Sequence, residues 1–365
     1  MDNLIDYIQW MSDFPVRATG FRDADALVLC MLAYFDLAPL FRGDTENVYV
    51  RDCQRLIDAG EAEAEIVGKD MGYVDILQAA ALSRRFGDLK ITDYMDILRE
   101  DPPLQFSAVC FHDDSDESFL AFRGTDSTLA GWREDFIAGF SHTEAQILAR
   151  QYAETAVRTA DRRWRMGGYS KGGNLALYTA VTMEAPSFSR IEKIYILDAP
   201  GLRAEALASD GFSRIDPKTV CIVPEFSVVG KLFEPPLSDR KIILSTTGGF
   251  MQHSPATWGI DHGKLALTNK NDPVSCWISD VLNRWAEHAA RDEGLLFIRE
   301  VFDALTAGGA ATLEELASEM PEDFGRIAQR LQGVSETTKR ILADLPKQAF
   351  LSSLPHPKHK KDMAE

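Results

Sequence analysis

No apolar run in this chain approaches the ~20 residues that a membrane-spanning helix needs. Positive charge is in the minority: 39 Lys and Arg stand against 56 Asp and Glu, a net charge of -17. Nucleic acids and anionic membrane surfaces select clustered positive charge, so neither is expected as a main partner. The clearest basic cluster, Lys358-His-Lys-Lys361, is short and terminal. Cysteine is sparse: Cys30, Cys53, Cys110, Cys221 and Cys276 are scattered, odd in number and form no C-x-x-C pair. They read as small buried side chains in a reducing cytosol rather than as a disulfide framework or a metal site. Internal repeats and low-complexity tracts are lacking too. The opening Met1-Asp-Asn-Leu-Ile-Asp6 has neither the basic region nor the apolar core of a secretory signal, so a cytoplasmic location is expected.

What is present is an ordinary core-forming composition. The 365 residues are 45% hydrophobic and 26% charged, enough for one large α/β domain with additions. Within them, Gly168-Tyr169-Ser170-Lys171-Gly172 is a G-x-S-x-G sequence. The pattern is short, and its flanks strengthen it. Upstream, a basic run ending at Arg165 gives way to Met166 and two glycines, the composition of a short strand entering a sharp turn. Downstream, Asn174 to Val181 has helical spacing and good helix formers. Glycines two before and two after the serine let backbone pass close on both sides, so Ser170 can occupy a strained conformation.

The rest of the chain supplies context for that turn. Residues 1 to 40 read as largely helical, with Asp23 and Asp25 placed to cap a second buried segment. Residues 60 to 100 contain further expected helices, with Tyr73, Ile76, Leu77 and Ala80 on one stripe. From 105 to 125 the period shortens: Phe106 to His112 and Ser118 to Arg123 flank an acidic turn and predict a hairpin. Its second strand ends in Arg123-Gly-Thr125, a glycine turn that can leave backbone N–H groups at the sheet's end. Trp132 and Phe136, four apart, begin an apolar helix face. Ile191 to Leu197 predicts a strand ending at Asp198, and Thr219 to Val223 a strand leading to Glu225. Either carboxylate stands where functional groups collect in open α/β sheets. Lys241 to Ser245 is the last strand expected, with His253 in the loop beyond it. Among seven histidines, His253 suits a proton-transfer role by that placement, and His262 is its close competitor. From 273 onward the chain reads as helical, with Ile278, Val281, Leu282 and Trp285 on one stripe.

Several of these segments together resemble a known family. Phe122-Arg-Gly-Thr125, the Gly-Tyr-Ser-Lys-Gly turn, Gly131-Trp-Arg-Glu-Asp-Phe136, Asp198-Ala-Pro-Gly-Leu202, Gln252-His-Ser-Pro-Ala-Thr-Trp258 and Asp25-Ala-Leu-Val-Leu29 resemble the Mbeg-like family of bacterial lipase-like proteins. The resemblance extends to about residue 285. It implies an α/β-hydrolase fold: a mostly parallel central sheet flanked by helices, with extra N- and C-terminal helices. It also implies main-chain donors at Thr125 and Lys171 for an oxyanion. The position of a typical fungal-lipase aspartate falls on Ser227, which leaves the acid open between Asp198 and Glu225. The expected organisation is a hydrolase domain over 1–290 with an N-terminal helical elaboration, a helical extension over 291–346 and a disordered tail over 347–365.

The resemblance favours Asp198, in a Leu-Asp setting some lipases share; the function expected is a serine hydrolase acting on a carboxylic ester or related acyl compound, with Ser170, His253 and Asp198 as its triad and Glu225 as the alternative acid. It requires no metal or organic cofactor, and its partner is a small-molecule acyl substrate. A thioesterase or peptidase would use the same groups, and a non-catalytic binding protein on the same fold stands as the alternative from another class.

Overall fold

The computed structural model describes residues 1–42, 47–64, 66, 72–99, 104–125, 129, 133, 143–159, 161–202, 210–288, 291–310, 326–327 and 329–343. The Trp132–Phe136 face and the 347–365 tail lie outside the described residues.

Among the described residues, eleven strands are formed: β1 (Val48–Tyr49), β2 (Lys90–Arg99), β3 (Leu104–His112), β4 (Glu117–Phe122), β5 (Arg163–Tyr169), β6 (Ile191–Leu197), β7 (Thr219–Pro224), β8 (Arg240–Ile243), β9 (Ile260–Asp261), β10 (Lys264–Leu265) and β11 (Leu267–Thr268). Nine of them make one sheet in the order β1-β2-β3-β4-β5-β6-β7-β8-β11. The sheet is mixed. Pairings from β4 through β8 are parallel, whereas β1 to β4 and the β8–β11 edge are antiparallel. The parallel half is the half that carries Ser170.

Strand alternation sends successive side chains to opposite faces, and each face is covered. Val109, Phe111, Phe119, Ala121 and Tyr195 pack on the N-terminal helices Leu4–Met11, Asp23–Leu32 and Tyr73–Leu82. Phe106, Ala108, Leu120, Phe122, Met166, Ile194 and Ile196 pack on the helices Glu144–Thr159 and Lys171–Thr182. Both faces being buried explains why the second half of β6, Ile194–Leu197, is an unbroken apolar run. Among the described residues, no helix is long and apolar enough to cross a membrane.

The N-terminal layer is pinned by a buried ion pair. Arg85 donates from Nε to Asp25 Oδ1 (2.6 Å) and from Nη2 to Asp25 Oδ2 (2.5 Å), both side chains being fully buried. Asp25 Oδ1 also accepts the Tyr7 hydroxyl (2.8 Å), and Oδ2 accepts the Arg22 N–H (2.7 Å). Asp25 is therefore the cap expected of it. Asp23 is not; its carboxylate meets Lys241 Nζ (2.6 Å) on β8.

The helix expected within residues 60 to 100 is Tyr73–Leu82, with Tyr73, Ile76, Leu77 and Ala80 buried as one stripe. It is followed by β2, a strand the sequence did not announce. A β-bulge explains why. Pairing jumps from Thr92 opposite Cys110 to Met95 opposite Ala108, and Asp93 there has φ 54°. The extra residue breaks the two-residue period that would mark a strand.

Beside the bulge, His112 is packed edge-on against Trp164, ring centroids 5.5 Å apart. Burial, aided by the nearby Arg162 guanidinium, pushes its pKa down to about 4. An unfolded imidazole titrates near ~6.5. Between these values the unfolded chain binds a proton that the native state refuses, so stability is lost as pH falls from ~6.5 toward ~4. The expected loss from this group is about 2–3 kcal/mol at the acid end of the window. Urea midpoints at pH 7 and pH 4.5 measure it. His112→Gln should flatten that part of the pH dependence; an unchanged slope would show that the proton acts elsewhere.

Candidate active site

Ser170 follows β5 directly and caps the helix Lys171–Thr182. Its backbone sits at φ 55°, ψ -130°, a strained conformation for a residue with a side chain. Neighbouring backbone enforces the turn. A Cβ on Gly168 would stand 2.1 Å from the Gly172 carbonyl carbon, and one on Gly172 2.2 Å from the Phe122 carbonyl oxygen. Only glycine allows the strand, the helix start and β4 to approach so closely.

Around this turn the structure brings three side chains together. His253 Nε2 lies 3.2 Å from Ser170 Oγ, and His253 Nδ1 lies 2.6 Å from Asp198 Oδ2. His253 closes a short 3₁₀ helix, Gly249–His253, after β8. The flanking residues hold that segment. Gln252 accepts the Phe226 N–H at its side-chain oxygen (2.9 Å), and its carbonyl accepts Trp258 Nε1–H (2.8 Å). The Tyr169 ring lies against the imidazole, centroids 4.8 Å apart.

Asp198 stands one residue beyond β6, 1% exposed, with φ 41°. Its second oxygen accepts Ser227 Oγ–H (2.5 Å) and Gly230 N–H (3.1 Å). Those donors stabilise a carboxylate, and the imidazole completes its hydrogen bonding. Glu225, the rival acid, ends up at the turn after β7. Its N–H donates to the Ile243 carbonyl (3.3 Å) and its carbonyl accepts the Asp272 N–H (2.9 Å). Asp198 is the carboxylate that meets the ring. His262, the competing histidine, is 92% exposed and pairs with its neighbour Asp261.

Thr125 and Lys171 are both buried beside the turn. Lys171 opens the helix after Ser170, and its Nζ donates to the Gln105 carbonyl (3.1 Å). Thr125 lies just beyond β4, which is in register with β5 at Phe122 opposite Gly168. His142, His356 and His359 lie outside the described residues, as does the side chain of His288.

Sequence reasoning missed the supporting residues. Ser227 appeared only as the place of an absent aspartate; it donates to the acid instead. Asn174, read as a helix former, donates from Nδ2 to the Pro200 (3.1 Å) and Gly201 (2.9 Å) carbonyls and so fixes the turn after Asp198. A polar side chain in an otherwise apolar helix was the available signal. Tyr34 and Tyr73 gave none, because buried tyrosines are common in cores.

Among the described residues, one group has metal-ligand chemistry. Asp93, Cys110 and His112 bring their donor atoms within 4.8 Å of one another. Their partners are already protein groups. His112 uses its two nitrogens on the Thr92 and Ser118 hydroxyls (2.7 Å each), and the Cys110 thiol meets the Tyr152 hydroxyl (3.4 Å). This reads as a hydrogen-bonded staple across the bulge, at the opposite end of β4 from Ser170.

Among curated proteins, none matches this chain. Among solved structures, the crystal structure of M37 lipase aligns with 58% of this chain and 69% of its own at 11% identity, with a TM-score of 0.35. The Mbeg1-like family profile covers residues 80–303, more than half of the chain. That segment holds the entire parallel half of the sheet and contains Ser170, Asp198 and His253, while Tyr34 and Tyr73 precede it. By that match, this chain belongs to the Mbeg1-like family.

Proposed function

We propose that this protein is a serine hydrolase of α/β-hydrolase type that cleaves a carboxylic ester or related acyl substrate through an acyl-enzyme. The observation that carries the reading is the Ser170–His253–Asp198 chain of contacts, 3.2 Å and 2.6 Å, anchored on a serine with φ 55°. Ser170 Oγ attacks the carbonyl carbon as His253 Nε2 accepts its proton. The tetrahedral adduct collapses, and the imidazolium returns that proton to the leaving alcohol. Water then repeats the sequence on the acyl-enzyme. Asp198, accepting from Nδ1–H, fixes the tautomer in which Nε2 is the base and stabilises the imidazolium. Main-chain N–H groups of Thr125 and Lys171 are the oxyanion donors, each worth roughly 3–4 kcal/mol in such sites.

Hydrolysis of p-nitrophenyl acetate and butyrate tests the reading. Wild type should turn over, and His253→Ala should lower kcat by about 10⁴-fold or more, since serine is a poor nucleophile without its base. Turnover that survives His253→Ala would remove the imidazole from the mechanism.

A further inference from the structure

The N-terminal helices do more than cover one face of the sheet. Two tyrosines from this layer reach the turns that carry the site. Tyr34, fully buried just beyond the helix Asp23–Leu32, donates its hydroxyl to the Tyr169 carbonyl (3.1 Å). The same oxygen packs against Gly124, where an added Cβ would stand 2.0 Å from it. Tyr73, from the helix Tyr73–Leu82, shares a 2.6 Å hydrogen bond with Ser254, the residue after His253.

The Tyr34 contacts fall on two critical peptide groups. The Tyr169 carbonyl belongs to the peptide plane that leads into Ser170. The N–H of that plane donates to the Leu197 carbonyl (2.9 Å), so the plane is held from both sides. Rotation of this plane changes φ of Ser170, the strained angle. Gly124 immediately precedes Thr125. A Cβ there would lie 2.0 Å from the Tyr34 hydroxyl and 2.7 Å from the Tyr169 carbonyl oxygen, which shows how tightly the three groups are stacked. Burial holds the phenol's pKa well above its usual value, so it stays protonated as the donor to the Tyr169 carbonyl.

We propose that Tyr34 is a positioning residue: its hydroxyl bonds the peptide before the nucleophile and packs against the strand end that carries the expected oxyanion donor. It holds the two at the spacing an acyl transition state requires. This rests on the serine-hydrolase reading. A strained serine relaxes unless its surroundings over-determine it, and here one phenol oxygen bonds one of the surrounding chain segments and is wedged against another.

Tyr34→Phe removes that oxygen and keeps the ring. With p-nitrophenyl butyrate, kcat should fall about 10- to 100-fold, the scale of a small misplacement of reacting groups. KM should stay within about twofold, because the ester's ground-state contacts are untouched. Affinity for an alkyl boronic acid, which mimics the tetrahedral adduct, should fall in parallel with kcat/KM. Tyr195→Phe is the control. Tyr195 is buried on the same face with Asp23 as its charged neighbour, and loss of its hydroxyl should leave kcat and boronate affinity unchanged. If Tyr34→Phe does not fold, Gly124→Ala decides, since its methyl group collides with the same hydroxyl and should lower kcat in the same way. Wild-type kcat in a folded Tyr34→Phe, or an equal loss in Tyr195→Phe, overturns the brace while leaving the hydrolase reading intact. A wild type that neither turns over nor reacts with a fluorophosphonate overturns both.

Discussion

Ser170→Ala should abolish fluorophosphonate labelling and lower ester turnover by roughly 10⁴- to 10⁶-fold, the cost of removing a nucleophile from a triad that acts as a unit. The substitution deletes one oxygen from a backbone already committed to φ 55° and braced by Gly168 and Gly172. Alanine carries the same Cβ as serine, so the turn, the helix Lys171–Thr182 and the buried Asp198 should keep their arrangement. Far-UV circular dichroism and the thermal midpoint should therefore match wild type, which separates loss of chemistry from loss of fold. Intact-protein mass after labelling reads the stoichiometry, and a peptide map reads the site. A probe adduct that persists in Ser170→Ala would move the nucleophile elsewhere and remove the function proposed above.

Asp25→Ala should destabilise the protein by about 3–5 kcal/mol, the cost of leaving a buried guanidinium without its counter-charge. Arg85 is fully buried and also donates to the Phe14 carbonyl (2.8 Å), Thr19 Oγ1 (2.9 Å) and the Gly20 carbonyl (2.9 Å). Those neutral acceptors hold the group in place but supply no negative charge. Removing Asp25 also strands the Tyr7 hydroxyl and the Arg22 N–H. The double variant Asp25→Leu with Arg85→Met should recover part of the loss. It removes both charges but leaves the buried Tyr7 hydroxyl without its acceptor, at about 1–3 kcal/mol, and the Phe14 and Gly20 carbonyls without their donor. Urea midpoints for the wild type, both single variants and the double variant measure the coupling. Additive losses would mean that the pair does not act as a buried ion pair. Because this layer also delivers Tyr34 and Tyr73 to the site, loosening it couples stability to the geometry around Ser170.

How much was legible in the sequence depended on whether the signal was local. The β3–β4 hairpin was legible because alternating apolar residues flank a polar turn, and β6 because five of its seven residues are apolar, four of them in the run Ile194–Leu197. β2 was not, because the bulge at Asp93 shifts its period partway along. The choice between Asp198 and Glu225 could not be made from either residue's surroundings. Both follow adjacent parallel strands of similar composition, β6 and β7.

By itself, then, the sequence determined the turn that carries Ser170. Gly168, Ser170 and Gly172 carry in three residues the steric requirement for a close strand-to-helix bend. It also determined the alternation of apolar strands and helices that makes an α/β sheet covered on both faces. Tertiary structure alone decided which carboxylate meets His253, that Ser227 supports that acid rather than replaces it, and that tyrosines more than 90 residues before Ser170 brace its surroundings. Local propensities act over a few residues, whereas these hydrogen bonds join segments 29 to 181 positions apart, and only the folded packing brings their atoms within reach.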